Sequence, residues 1–201
     1  MGGLTFDAEK HEYRFGGVVI PSVTQIMTGI GLYDLSHVPE RVLRESADRG
    51  TIVHCCIEWY EKGILDESSI DPELRGYFES YLRMKDAKLL PEHPSAIEEQ
   101  LFSAKYGYAG TLDQMYEDDW INDLKTGVRD PGHGIQLSAY WLLKYGIITK
   151  KPRELTCSYL HADGSCGDLV RYDCEMPTWV SMLADYKWRE RHGKLKSRGG
   201  K

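Results

Sequence analysis

Asp113 stands ten residues ahead of the run Asp123-Leu124-Lys125. Successive side chains of a strand point to opposite faces, so Asp123 and Lys125 share one face while Leu124 points into the opposite layer. If the preceding strand returns antiparallel through Asp118-Asp119, Asp113 lies near Asp123. Two carboxylates and an ammonium then meet on one sheet face. Neighbouring carboxylates repel and favour a hard divalent cation between them. An oxygen-rich site of that kind suits Mg2+ or Mn2+. Such an ion polarises a phosphoryl oxygen and lowers the pKa of water. A lysine beside it can orient that water or offset the charge developing on phosphorus. The D-x-K pattern is short, and the same residues would also serve as a salt-bridged sheet surface.

Other polar residues fall where they could join this group. Glu98 lies on the strand before Asp113, next to Glu99; only one of the two can face the site, and a one-residue slip would exchange them. His54 ends the run Arg49-Gly50-Thr51-Ile52-Val53-His54 on an earlier helix, as a metal ligand or as a satisfied half-buried histidine. Glu58, four residues on, faces the same way and either orients the imidazole or is an exposed helix charge. Gln136 and Tyr140 are also four apart, on a helix after Lys125, and share a side. Thr126 and Arg129 follow the lysine and could hold a nucleic-acid phosphate or form an ordinary turn.

The elements that must position these residues follow from periodicity. Leu4–Asp7 and Glu12–Phe15 read as short strands, and Gly16-Gly17 turns the chain into Val18-Val19-Ile20. A helix begins near Pro21 with Ser22 as its N-cap. The pattern is helical from Pro39 to Glu61, with Gly50 interrupting one buried stripe. Asp71-Pro72 reads as the start of a further helix, carried through Leu89 and ended by Pro91 and Pro94. Ala96–Ala104, Tyr108–Tyr116 and Trp120–Thr126 form a three-stranded meander. A Gly-rich loop over 127–134 leads to a helix from Ile135 to about Lys144. Arg153–Leu160 and Asp168–Cys174 are strands, and Thr178–His192 is a closing helix. The order gives an α/β (α+β) fold with a central mixed β-sheet flanked by helices. One domain is expected over 1–192: an N-terminal hairpin at 4–20, a helical region at 22–90, a core at 96–145, and C-terminal strands and helix at 153–192. A basic tail at 193–201 is expected to follow it.

Composition narrows the class. The chain has 201 residues, 28% of them charged, with a net charge of −6, so overall charge gives no sign of nucleic-acid binding. From Lys187 to Lys201, however, seven Lys and Arg face one acid, Glu190. That tail either adds sequence-independent attraction to phosphate or is a solvated end. The start lacks the pattern of a signal peptide, and no apolar run approaches the roughly 18 residues of a membrane span, so a cytoplasmic location is expected. The five cysteines, Cys55, Cys56, Cys157, Cys166 and Cys174, make an odd number and argue against a disulfide framework. No P-loop is present, so helicase or ATPase activity would have to come from a partner.

Four blocks in order carry a family likeness: Ala96-Ile97-Glu98; Tyr108-Ala109-Gly110-Thr111-Leu112-Asp113; Ile121-Asn122-Asp123-Leu124-Lys125-Thr126-Gly127; and Gln136-Leu137-Ser138-Ala139-Tyr140. Together they resemble the PD-(D/E)xK nuclease superfamily, in its exonuclease branch of RecB-type, Cas4-like, phage and mitochondrial genome maintenance exonucleases. The resemblance covers about Ser22 to Tyr145. It implies a restriction-endonuclease-like core and a Mg2+- or Mn2+-dependent DNA exonuclease. Asp113 and Asp123 would ligate the metal, His54 would join its sphere, Glu98 would be an outer or second-metal carboxylate, and Lys125 would serve the attacking water. Gln136 and Tyr140 would contact the DNA backbone or brace the site. It also implies DNA as partner, with a single-strand annealing protein or helicase as protein-partner candidates, oligomers in some relatives, and a setting in phage-type recombination, replication or repair. Some relatives bind a 4Fe–4S cluster with one cysteine before the core and three after it. Here the count matches but the spacing does not, because seven to eight residues lie between successive members of the last three, with no tight C-x2-C turn. Buried free thiols are expected instead.

Overall fold

The computed structural model describes residues 3–7, 10, 12–33, 38–117, 119–146 and 149–195. The chain opens with an antiparallel meander of β1 (Leu4–Asp7), β2 (Glu12–Phe15) and β3 (Val18–Ile20). Helix α1 (Val23–Gly29) starts at a capping box: the Ser22 hydroxyl accepts from the Gln25 amide, and the Gln25 side chain accepts from the Ser22 amide. Helices α2 (Glu40–Glu61) and α3 (Arg75–Asp86) follow. A five-stranded sheet then runs in the spatial order β4 (Ala96–Ser103), β5 (Tyr108–Tyr116), β6 (Trp120–Lys125), β7 (Glu154–Tyr159), β8 (Asp168–Arg171). Neighbouring strands are antiparallel except β6 and β7, which are parallel. The crossover between these two carries helix α4 (Gly132–Tyr145), as a parallel pair requires. Helix α5 (Met176–Arg191) closes the fold.

The sheet separates two cores. On one face Leu112, Ile121, Leu155 and Tyr159 pack with α1, α4 and α5; Trp141 and Trp179 are fully buried there. On the other face Tyr116, Leu124 and Leu160 pack with Val53 and Ile57 of α2 and Phe78 and Tyr81 of α3. With a layer packed on each face, β5 is buried at almost every position instead of on alternate residues, its polar Asp113 and Gln114 included. Ile121 lies in the first core and Leu124 in the second, so Asp123 and Lys125 face the α4 side.

Several boundaries differ from expectation. Asp71-Pro72 does not open α3. The Asp71 carboxylate accepts from the Glu73 amide and its carbonyl from Leu74 and Arg75, making a separate turn before the helix proper begins at Arg75. That helix ends at Asp86, and Leu89 lies beyond it, partly exposed. Helix α4 starts earlier than Ile135, because Asp130 Oδ1 accepts from the Gly132 amide at 2.6 Å and Pro131 already has helical angles. Strand β8 ends at Arg171, short of Cys174. Asp118 and residues 196–201 of the basic tail lie outside the described residues. No helix among the described residues is long and apolar enough to cross a membrane.

Candidate metal centre

The meander is fastened to β5 beside the site. Ser22 bridges Ala109, the Ala109 amide donates to the Pro21 carbonyl at 3.0 Å, and Tyr13 and Thr111 share a hydroxyl hydrogen bond of 2.6 Å. The next residues of β5 lead to Asp113. Across the sheet, Ile97 pairs with Gln114 and Glu99 with Leu112, which leaves Glu98 opposite Asp113 and outside the regular ladder.

The side-chain alternation slips at this pair. Ile97 packs in the α2/α3 core, while Glu99, two residues on, binds Lys144 of α4 at 2.5 Å. On β5, Leu112 lies in the α4 core and the Gln114 amide donates to Tyr81 of α3 at 2.9 Å. Glu98 makes the slip with a backbone φ of 47°, in the left-handed region. Its carboxylate is thereby delivered to His54 of α2: Glu98 Oε1 is 3.2 Å from His54 Nδ1. Glu98, and not Glu99, faces the site.

His54, Glu98 and Asp113 offer one ligand atom each within 4.8 Å of one another, the one such group of His, Cys, Asp and Glu among the described residues. His54 Nε2 lies 3.1 Å from the Leu124 carbonyl, and His54 Nδ1 is 3.6 Å from Asp113 Oδ2. That Asp113 oxygen also accepts from the Leu124 amide at 2.7 Å, which ties it to β6. Burial pushes the Asp113 carboxyl well above the usual carboxylate range, and the charge of Asp123 pushes it further. Burial alone would lower the His54 pKa, but Asp113 and Glu98 outweigh it and lift it to about 9. A divalent ion would displace a His54 proton and take the freed ring nitrogen together with the carboxylates of Glu98 and Asp113, a donor set of one nitrogen and two oxygen groups that suits it.

Asp123 lies outside this group of three. Its Oδ2 is 2.5 Å from Lys125 Nζ and 3.9 Å from the buried Cys157 thiol. Lys125 also donates to Gln136 Oε1 at 3.1 Å, and Gln136 Nε2 donates to the Tyr140 hydroxyl at 3.0 Å. Burial acts to lower the Lys125 pKa, but Asp123 and Asp113 overcome it and raise it. Gln136 thus spends both ends of its amide inside the protein, bracing the lysine.

These residues line a cleft of about 610 Å3. Thr126 lies on its wall. Arg129 does not: it pairs with Asp168 at 2.9 Å and sits over the Tyr159 ring. Glu58 lines the cleft but binds Lys62 at 2.6 Å instead of the histidine. Sequence reasoning passed over Ser46 and Arg49, which also line it. A signal for Ser46 existed, since Ser46, Gly50, His54 and Glu58 recur every fourth residue along one face of α2. Of the cysteines, Cys56 and Cys157 are buried, Cys55 and Cys174 half-buried and Cys166 exposed.

No family model and no curated protein matches the chain. A crystal structure from Eubacterium rectale, described as a "putative exonuclease", matches 74% of this chain and 69% of that one, with a TM-score of 0.53 and 12% identity. The two share a fold: a mixed sheet flanked by helices.

Proposed function

We propose that the protein is a divalent-metal-dependent deoxyribonuclease, acting as an exonuclease on DNA. The observation that carries this reading is the His54–Glu98–Asp113 group beside a lysine held in place by Asp123 and Gln136. The fold shared with the Eubacterium rectale structure supports it, as does the four-block resemblance to the nuclease superfamily. His54, Glu98 and Asp113 would hold the ion, with Asp123 adjoining. When bound, Mg2+ or Mn2+ supplies a Lewis acid for a phosphoryl oxygen and lowers the pKa of water.

The chain's own groups do the rest. Asp113 stays fixed through the Leu124 amide. Lys125 remains charged and faces the cleft, where its ammonium offsets the negative charge that grows on phosphorus as water attacks and the bond to the leaving oxygen breaks. Gln136 and Tyr140 restrict the lysine's rotamers, so less reorganisation accompanies the reaction. Phage-type recombination, replication or repair is the setting this reading favours.

The test is cleavage of end-labelled single- and double-stranded DNA with Mg2+, Mn2+, Ca2+ or EDTA. Asp113→Asn keeps an oxygen to accept from Leu124 and so should fold, yet lose cleavage and metal affinity. Lys125→Ala should lower kcat by about 10^2- to 10^3-fold with little change in KM. An Asp113→Asn protein that cleaves at the wild-type rate removes the metal assignment. DNA bound but uncut in every lane would favour a binding protein on this fold.

A further inference from the structure

Two buried side-chain polar atoms among the described residues have no hydrogen-bond partner, the Tyr33 hydroxyl and Arg49 Nε. Arg49 is half-buried on α2 and lines the cleft of the metal group. Nearby cations are already engaged: Lys62 by Glu58 and Lys125 by Asp123. Arg49 makes no ion pair with any described residue. Its recorded contact is with the Tyr77 ring, whose centroid lies 5.9 Å from the guanidinium carbon. An aromatic face orients a guanidinium without neutralising it.

Two further donors are uncommitted. The hydroxyls of Ser46 and Thr126 both line the cleft, and neither bonds to another described residue. Gly50 lies between them. A Cβ built there would meet Thr126 Oγ1 at 3.9 Å, ordinary van der Waals contact, so the absence of a side chain at Gly50 brings the Thr126 hydroxyl close to α2. Gly50 is four residues before His54, about 6 Å along the helix axis. That is of the order of the spacing between neighbouring phosphates of a strand.

We propose that Arg49, with Ser46 and Thr126, forms a phosphate subsite that takes the phosphate next to the one being cleaved. The inference rests on the nuclease reading and deepens it. A planar guanidinium fork suits an oxyanion, and hydroxyls add donors without adding charge. The carboxylates would gather a metal while Arg49, which lines the same cleft from the helix that carries His54, takes a phosphate directly. This arrangement fixes the register of a nucleic-acid backbone without reading its bases.

Steady-state cleavage of an end-labelled oligonucleotide tests it. Arg49→Gln should raise KM by about tenfold to a hundredfold. It should also flatten the dependence of log affinity on log salt by about 0.7 for a single strand. Mn2+ binding, followed by calorimetry without DNA, should not change. Arg49→Lys should recover part of the affinity. In the wild-type protein a neutral methylphosphonate should weaken binding at one linkage beside the scissile bond, and Arg49→Gln should be indifferent to it. A wild-type enzyme insensitive to every flanking methylphosphonate overturns the subsite even if the variants misfold. Cleavage with Arg49→Gln kinetics and salt slope unchanged overturns it while leaving the nuclease intact. A wild-type protein that neither binds nor cuts DNA removes the nuclease reading, and the subsite with it.

Discussion

Glu98 holds a left-handed backbone conformation, with φ of 47°, that a non-glycine residue adopts only under constraint. The strain has a local return, because the same twist carries the carboxylate to His54 and lets Glu99 reach Lys144 on the other face. Stability and metal binding should therefore part company here. In the metal-free protein Glu98→Gly and Glu98→Ala both lose the contact with His54, but glycine alone relieves the backbone and should be the more stable of the two by about 1 kcal/mol, while Mn2+ affinity and cleavage collapse in both. Thermal unfolding beside calorimetric metal titration checks this; equal stability of the two variants would show that the backbone there is not strained. Sequence placed Glu98 and Glu99 on one strand, and the family likeness favoured Glu98, but regular alternation by itself allows either register. The slip that decides the matter comes from how two helical layers claim Ile97 and Lys144's partner Glu99. No property of the two glutamates encodes it.

Helix α4 and strand β5 act as a unit through Gly110. A Cβ there would lie 2.8 Å from Tyr140 Cε1 and 3.2 Å from a methyl of Val23. The missing side chain lets the Tyr140 ring lie against the strand, Tyr140 accepts from Gln136, and Gln136 accepts from Lys125. Gly110→Ala should push the ring outward, destabilise by about 1–3 kcal/mol, and lower kcat more than it raises KM. A variant with wild-type kcat would uncouple the ring from the lysine. Much of this element-level arrangement was readable beforehand. The Gln136–Tyr140 spacing put both on one helix face, and Ser22 was recognised as a cap. What could not be read was the fit between elements, because the meaning of Gly110 depends on a ring 30 residues away. The helix starts were misplaced where an Asp-Pro pair made a turn in one case and opened a helix in the other.

The molecule as a whole is two cores on a five-stranded sheet, and the order of helices and strands announced that architecture. The residues that join the layers are subtler. His133 of α4 meets the Tyr159 hydroxyl of β7 at 2.6 Å, and Tyr159 continues to Tyr172. Burial, with Lys125 nearby, lowers the His133 pKa to about 4, against about 6.5 in an unfolded chain. The unfolded chain therefore takes the proton first. Stability from this group is complete above about pH 6.5 and drains away as pH falls toward 4. Wild type should accordingly lose more thermal stability between pH 7 and 4.5 than His133→Asn; equal losses would clear His133 of that role. The sheet also has rims. Strand β4 lies at one edge, with only β5 beside it, and an open strand edge is a template on which another chain can add a strand. Glu98 interrupts the rhythm of that edge midway and turns its carboxylate inward to His54. The interruption that completes the candidate metal group would also make the edge a poorer template for an added strand.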